Sequence, residues 1–195
     1  MGKRQDAALE TKRKIISAAE KLINEKGFDN IGVLDITNEA GVAKGSFYTY
    51  FKHKEDVVCE IAYSRFSAME EQSKSADDIC GQIISFLTGS MKYITDTGLN
   101  ICQQWLKNSA EPEDRYGKDK LAYDTGVIRD AIKSAADRNE LQPDTPAEEL
   151  AEIITAEYYG AVTLWAITNG NTDPSELLEN YCRHTLRPML ARFEI

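Results

Sequence analysis

Between Gly32 and Lys54 the chain sets apolar residues at Val33, Ile36 and Ala40, then Gly41, then aromatic rings at Phe47 and Phe51. Residues three and four apart share one face of an α-helix, so each set marks a short helix with a single buried stripe. Gly41 stands between them, where a left-handed backbone just past a helix end favours glycine. The reading is two short helices joined by a tight turn, the second spanning about Lys44 to Phe51. With Phe47 and Phe51 turned inward, Gly45, Ser46, Tyr48, Thr49 and Lys52 cover the outward half, and Tyr50 lies on its flank. That surface is small, hydroxyl-rich and basic, and holds no carboxylate. It suits a helix lying in the major groove of duplex DNA, where hydroxyls and amines meet phosphates and base edges. Helix, glycine and helix also recur in bundles that touch no nucleic acid. What lacks a packing explanation is two tyrosines, a threonine, a serine and a lysine on one short exposed helix.

The segment from Thr11 to about Ile61 resembles the N-terminal DNA-binding domain of the TetR family of transcriptional regulators. The resemblance rests on Ile15, Ala18, Ala19 and Gly27-Phe28, on Val33, Asp35-Ile36 and Ala40-Gly41-Val42, and on Lys44 through Phe51 with Lys54-Glu55-Asp56-Val57. It covers about the first third of the chain. Three positions depart from the pattern: Gly32 where a Ser or Thr cap is usual, Ala43 where Ser is common, and Leu34 where Arg often stands. These changes weaken helix capping and remove one polar contact without breaking the motif.

Composition sets the bounds. A chain of 195 residues can build a real core, and 42% hydrophobic with 28% charged residues is ordinary for a globular protein. No apolar run reaches the length of a membrane span and the N-terminus lacks an apolar signal core, so a cytoplasmic protein without membrane contact is expected. Cys59, Cys80, Cys102 and Cys182 form no Cys-x-x-Cys pair, and His53 and His184 are the only histidines. Buried small hydrophobes fit these cysteines better than metal ligands do, and no metal or cofactor is expected. The net charge of −9 is unevenly spread: residues 1–56 hold ten Lys or Arg against nine Asp or Glu, and residues 57–195 hold thirteen against twenty-three. An acidic body confines contact with phosphates to the basic end.

Taken in order, residues 1–7 read as a mobile arm and Ala8 to Lys26 as a first helix, with Ile15, Ala19, Leu22 and Ile23 inward. A long helix from Lys54 to about Ser73 follows the helix-turn-helix. It carries Val57, Val58, Ile61, Ala62, Arg65, Phe66 and Met69, and links the two halves. Lys52, His53 and Lys54 at its start suit phosphate contact near the positive end of the helix dipole. Further helices are expected over Ala76–Asp96, Gly98–Ser109 and Asp119–Asn139, the last with Leu121, Ile128, Ile132 and Ala135 inward and a polar mobile loop over 111–118 before it. Thr145-Pro146-Ala147-Glu148 and Asp173-Pro174-Ser175-Glu176 each read as a cap, a first-turn proline and a glutamate opening a helix. The first would carry Leu150, Ile153, Ile154, Tyr158, Ala161, Leu164 and Trp165 on a wide apolar stripe; Pro188 should kink the second.

The whole reads as all-α. Residues 1–53 are a three-helix, helix-turn-helix DNA-binding domain, and residues 54–195 a helical effector-binding and dimerisation domain. Candidate DNA contacts are Lys44, Gly45, Ser46, Tyr48, Thr49, Tyr50, Lys52, His53 and Lys54. Tyr93, Trp105, Tyr123, Tyr158 and Trp165 are the aromatic candidates for an effector pocket. Doubling of the last two helices across a two-fold axis would place Tyr158, Ala161, Trp165, Leu178, Tyr181, Cys182, Thr185, Leu186 and Met189 in a homodimer interface. No nucleophile motif or phosphate-cradling loop is visible, so an enzyme is not expected. The resemblance implies a sequence-specific transcriptional regulator, a repressor released from an inverted-repeat operator in double-stranded DNA by a small-molecule effector. The alternative is a helical ligand-binding or scaffold protein that no longer binds DNA; the polar, basic outward face of Lys44–Lys52 weighs against it.

Overall fold

The computed structural model describes residues 3–63, 70, 73–111 and 115–195. Ten α-helices are described: α1 Lys3–Lys26, α2 Val33–Glu39, α3 Lys44–Tyr50, α4 Lys54–Tyr63, α5 Ile79–Thr97, α6 Leu99–Ser109, α7 Arg115–Asp137, α8 Ala147–Ile167, α9 Pro174–Tyr181 and α10 Arg187–Leu190. Among the described residues the only extended pairing is an isolated bridge between Leu141 and Glu194.

Helix α1 begins earlier than its apolar stripe requires, so residues 3–7, expected as an arm, are helical. Ile15, Ala18, Ala19, Leu22 and Ile23 are buried along one face. Gly27, at φ +81°, ends the helix and leads into a 3-10 turn, Phe28–Asn30. Helix α2 closes as the sequence requires. Gly41 takes φ +65°, Val42 N–H bonds the Thr37 carbonyl at 3.0 Å, and Gly41 N–H bonds that of Asn38 at 3.1 Å. A side chain at Gly41 has open space but the wrong backbone, which costs about 1 kcal/mol. The Gly32 cap is half replaced: Asp35 Oδ2 accepts from Gly32 N–H at 2.7 Å, the reciprocal half of a capping box.

Phe47 and Phe51 are 0% and 3% exposed, their rings 5.2 Å apart, and they pin α3 against α1. Burying each ring contributes about 1.5–3 kcal/mol. This N-terminal core does not stop at residue 53. It takes in Val57, Val58 and Ile61 of α4 and also Ile101 and Trp105 of α6.

The body core is built by α5, α7, α8 and α9 around Ile83, Leu87, Ile132, Ile154 and Leu186. Several expectations shift here. Helix α7 starts at Arg115, inside the expected loop. Leu121, expected inward, is 46% exposed; on the apolar stripe of α8, Ile153 (51%) and Leu164 (43%) are exposed too. Asp173 caps α9 by accepting from Ser175 N–H at 2.8 Å, but Thr145 does not cap α8: its hydroxyl donates to the Gln142 carbonyl at 2.6 Å. The missing N–H of Pro188 is absorbed by a π-helical stretch, Cys182–Leu186, in which Arg187 N–H reaches back to the Cys182 carbonyl. Arg65, Phe66 and Met69, expected on the long helix, lie outside the described residues.

Candidate nucleic-acid interface and body cavity

Helix α3 is held from behind. Phe47 anchors it in the core, and the Tyr50 hydroxyl donates to the Ala8 carbonyl of α1 at 3.0 Å, which sets the helix's rotation. The opposite face is open: Lys44, Gly45, Tyr48 (53% exposed) and Thr49 are exposed, Ser46 and Tyr50 half-buried. The Tyr48 ring rests edge-on against Phe47, 5.6 Å between centroids, which stiffens it without covering its hydroxyl. Lys52 and His53 carry on the exposed surface.

Lys54 behaves otherwise. Its ammonium donates to the carbonyls of Phe28 (2.7 Å) and Ile31 (2.9 Å) and lies 3.9 Å from the Phe28 ring centroid. Instead of facing a phosphate, it staples α4 to the 3-10 turn. The start of α4 is likewise occupied: Asp56 Oδ2 accepts from Lys52 N–H (2.8 Å) and His53 N–H (2.9 Å), so these amides are not offered to an anion.

Between the two cores lies a narrow slot with room of about 40 Å³, lined almost wholly by apolar surface. Tyr93, Trp105 and Tyr158 line it, as does Tyr159, whose ring is 5.9 Å from that of Trp105. Ala62 of α4 and Ile101 of α6 belong to the same wall. The Tyr93 hydroxyl donates to the Ile61 carbonyl and so binds α5 to α4. Two of the expected pocket aromatics stand elsewhere. Tyr123 is in a separate polar groove, its hydroxyl donating to Glu70 at 2.6 Å, and Trp165 packs beside the Gly170 turn.

Several wall residues lie outside the expected set, and one of them is charged. Lys120, 3% exposed, donates to Asp124, itself 1% exposed, and the Tyr159 hydroxyl donates to the same carboxylate oxygen at 2.9 Å. Burial pushes Asp124 above the usual carboxylate range against the pull of Lys120 and Tyr159, and pushes Lys120 below the usual lysine range. The signal was in the sequence: Lys120, Asp124, Ile128 and Ile132 fall four apart on one stripe.

The expected interface set also needs correction. Tyr158, Ala161, Leu178, Tyr181, Cys182 and Leu186 are buried within the single chain, Trp165 and Met189 half-buried, and only Thr185 exposed. Their stripe closes the protomer's own core. Outward, α8 exposes Ile153, Ala156, Gly160, Leu164 and Ile167, the last 70% exposed, with Glu152 and Glu157 among them.

An exposed, hydroxyl-bearing second helix on a three-helix unit, seated on a helical body, is the architecture of a helix-turn-helix transcriptional regulator. The comparisons narrow the class. The family model of the bacterial regulatory proteins of the tetR family matches residues 15–61. The Bacillus subtilis regulator YvdT is 39% identical over 61 residues, 31% of each chain. The repressor BepR of Brucella suis is 27% identical over 174 residues, 81% of each. Among solved structures, FadR of Bacillus subtilis in complex with stearoyl-CoA superposes with a TM-score of 0.70 at 20% identity, over 88% of this chain and 95% of that one. TylP, a TetR regulator from Streptomyces fradiae, does so with a TM-score of 0.69 at 22% identity, over 96% and 92%. Residues 15–61 thus match the DNA-binding segment of the tetR family, and the chain shares its fold with solved regulators such as TylP.

Proposed function

We propose that the chain is a repressor in the cytoplasm that binds an inverted-repeat operator as a homodimer and leaves it when a small molecule occupies the slot. Residues 1–53 with α4 carry the DNA contacts, made by Lys44, Gly45, Ser46, Tyr48, Thr49, Lys52 and His53. The rest receives the effector and the second protomer. One observation supports this reading above others: Ile101 and Trp105 belong to the core beneath the recognition helix and line the slot as well. A molecule entering the slot therefore presses on side chains that pack against α1 and α4. Because packed cores switch between discrete arrangements, a small displacement there can change the setting of α3. The relatives point the same way: BepR is named a repressor, and FadR holds an acyl-CoA. The exposed stripe of α8 is the face we assign to the partner, since Gly160 has nothing within 4 Å of an added side chain and allows close helix approach.

The test needs no knowledge of the effector. Val162 is 1% exposed and lines the slot. Val162→Phe fills the slot from within and should mimic a bound molecule, weakening operator binding about tenfold or more while the variant stays folded. A folded Val162→Phe protein with unchanged affinity for the duplex upstream of its own gene would refute control through the slot.

A further inference from the structure

The exposed stripe of α8 is apolar at its centre and charged at its borders. Glu152 stands one turn before Ala156 and Glu157 one turn after Ile153, and both are exposed. Helix α8 holds four glutamates and no lysine or arginine. The C-terminal segment is its opposite: residues 182–192 hold Arg183, Arg187 and Arg192, all exposed, and no carboxylate. Burial first, then the carboxylate of Glu157, push the Tyr181 hydroxyl above the usual tyrosine range, so Glu157 lies on the border of α8 nearest that segment. Glu148 has a partner in Arg129 at 3.7 Å. None of Glu152, Glu157, Arg183 and Arg187 is in an ion pair among the described residues.

Two copies that bury the apolar centres against each other also bring these borders together. Set acid to acid, the borders repel; set acid to base, they attract. A phosphate-bearing partner for the arginines is disfavoured by the glutamates beside them, whereas a second copy satisfies both signs at once. We infer that charge sets the register of the dimer: Glu152 and Glu157 of each copy meet Arg183 and Arg187 of the other, twice over by the two-fold symmetry. This rests on the assignment of the α8 stripe to a second protomer, and it goes further by naming the residues that select a like chain. Exposed ion pairs add little affinity singly, but like charges placed in contact exclude a wrong partner or register.

Charge exchange tests this, read by sedimentation of the full-length protein at low salt. One variant carries Glu152→Lys with Glu157→Lys, the other Arg183→Glu with Arg187→Glu. All four positions are exposed, so the fold should survive. Each variant alone should dimerise at least about tenfold more weakly than wild type, because both of its contacts then oppose like charges. Mixed in equal amounts, the two should form a dimer about as tight as wild type, since each restores the pairing that the other lost. That recovery also shows that neither is misfolded. Undiminished dimers of either variant, or no recovery on mixing, would overturn the inference. So would an arginine variant that stays dimeric and loses affinity for duplex DNA, which would give Arg183 and Arg187 to phosphate. Leu164→Glu tells this apart from the reading beneath it. If Leu164→Glu dissociates the dimer and the charge variants do not, the stripe is the interface and the pairing is wrong. A dimer that survives Leu164→Glu refutes the stripe itself, and a monomeric wild type refutes both.

Discussion

The side-chain amide of Asn24, near the end of α1, donates to the Thr97 carbonyl of the body at 2.8 Å. Asn100 returns the contact, its amide reaching the carbonyls of Ile23 (3.4 Å) and Asn24 (3.3 Å). Gly98 lies between, at φ +106°, and a Cβ there would sit 2.4 Å from Asn24 Oδ1. Two asparagines and one glycine thus clip α1 to the corner between α5 and α6. Thr97 and Ile101 on either side of that corner also line the slot. Motion of the corner can therefore reach the DNA-binding helices through α1 as well as through α4.

Gly98→Ala must meet both a left-handed backbone and a clash with Asn24, so it should destabilise the protein by about 2 kcal/mol or more. Asn24→Ala frees the space but loses the hydrogen bond, for about 1 kcal/mol. Urea unfolding of both variants checks the order. A Gly98→Ala protein as stable as wild type would show that the corner yields easily and is no clip.

Lys54→Met should act on stability rather than on phosphate contact. Losing two hydrogen bonds from a charged donor to carbonyls is expected to cost about 2–3 kcal/mol, mostly in the N-terminal helices. Any loss of DNA affinity should then follow unfolding, with the salt dependence of the folded fraction unchanged. A variant of normal stability whose dependence on salt is flatter would restore Lys54 to the phosphate contacts.

The buried pair on α7 gives a sharper contrast. Lys120→Met leaves Asp124 buried without its cation and should cost about 3–5 kcal/mol. Lys120→Met with Asp124→Leu removes both charges and should recover most of that loss. Thermal unfolding of the single and double variants measures it. Equal destabilisation in the two would mean that the charges are not coupled.

On the outward stripe of α8, Leu164→Glu changes a residue that is 43% exposed in the single chain. The fold should survive, with a stability change near the roughly ±0.5 kcal/mol of ordinary surface substitutions, while the proposed dimer dissociates. Sedimentation at micromolar concentration separates the outcomes. A dimer as tight as wild type would move the interface elsewhere.

The sequence made the recognition unit legible because its signals are local. Helical spacing placed Phe47 and Phe51 inward, and the short apolar stripes left Gly41 a single role, so α2, the turn and α3 follow from period and backbone alone. The body was less legible. Hydrophobicity alone turns Leu121 inward, but a helix packed on several sides has no unique wet face, and the stripe of α7 runs through Lys120 and Asp124 instead. A Lys and an Asp four apart usually mark a solvated pair; their burial depends on α8 bringing Tyr159 against them, a long-range fact. Lys54 is a similar case. Its cation looked free because the carbonyls of Phe28 and Ile31 that receive it are more than twenty residues earlier in the chain. Tyr158 and Leu186 read equally well as interface or core, since an apolar stripe does not say which chain covers it.

The open face of α3 is the centre of the account, and one measurement addresses it directly. Fluorescence anisotropy of the duplex upstream of the protein's own gene should be titrated with wild type, Tyr48→Ala and Lys44→Ala across a range of salt. Both substituted positions are exposed, so folding should be unaffected. Tyr48→Ala is expected to weaken binding about tenfold and to relax its preference over unrelated duplex, while Lys44→Ala weakens binding to any sequence and lowers the salt slope by about one. Undiminished, equally selective binding by both folded variants would contradict the assignment of α3 as the helix that reads DNA.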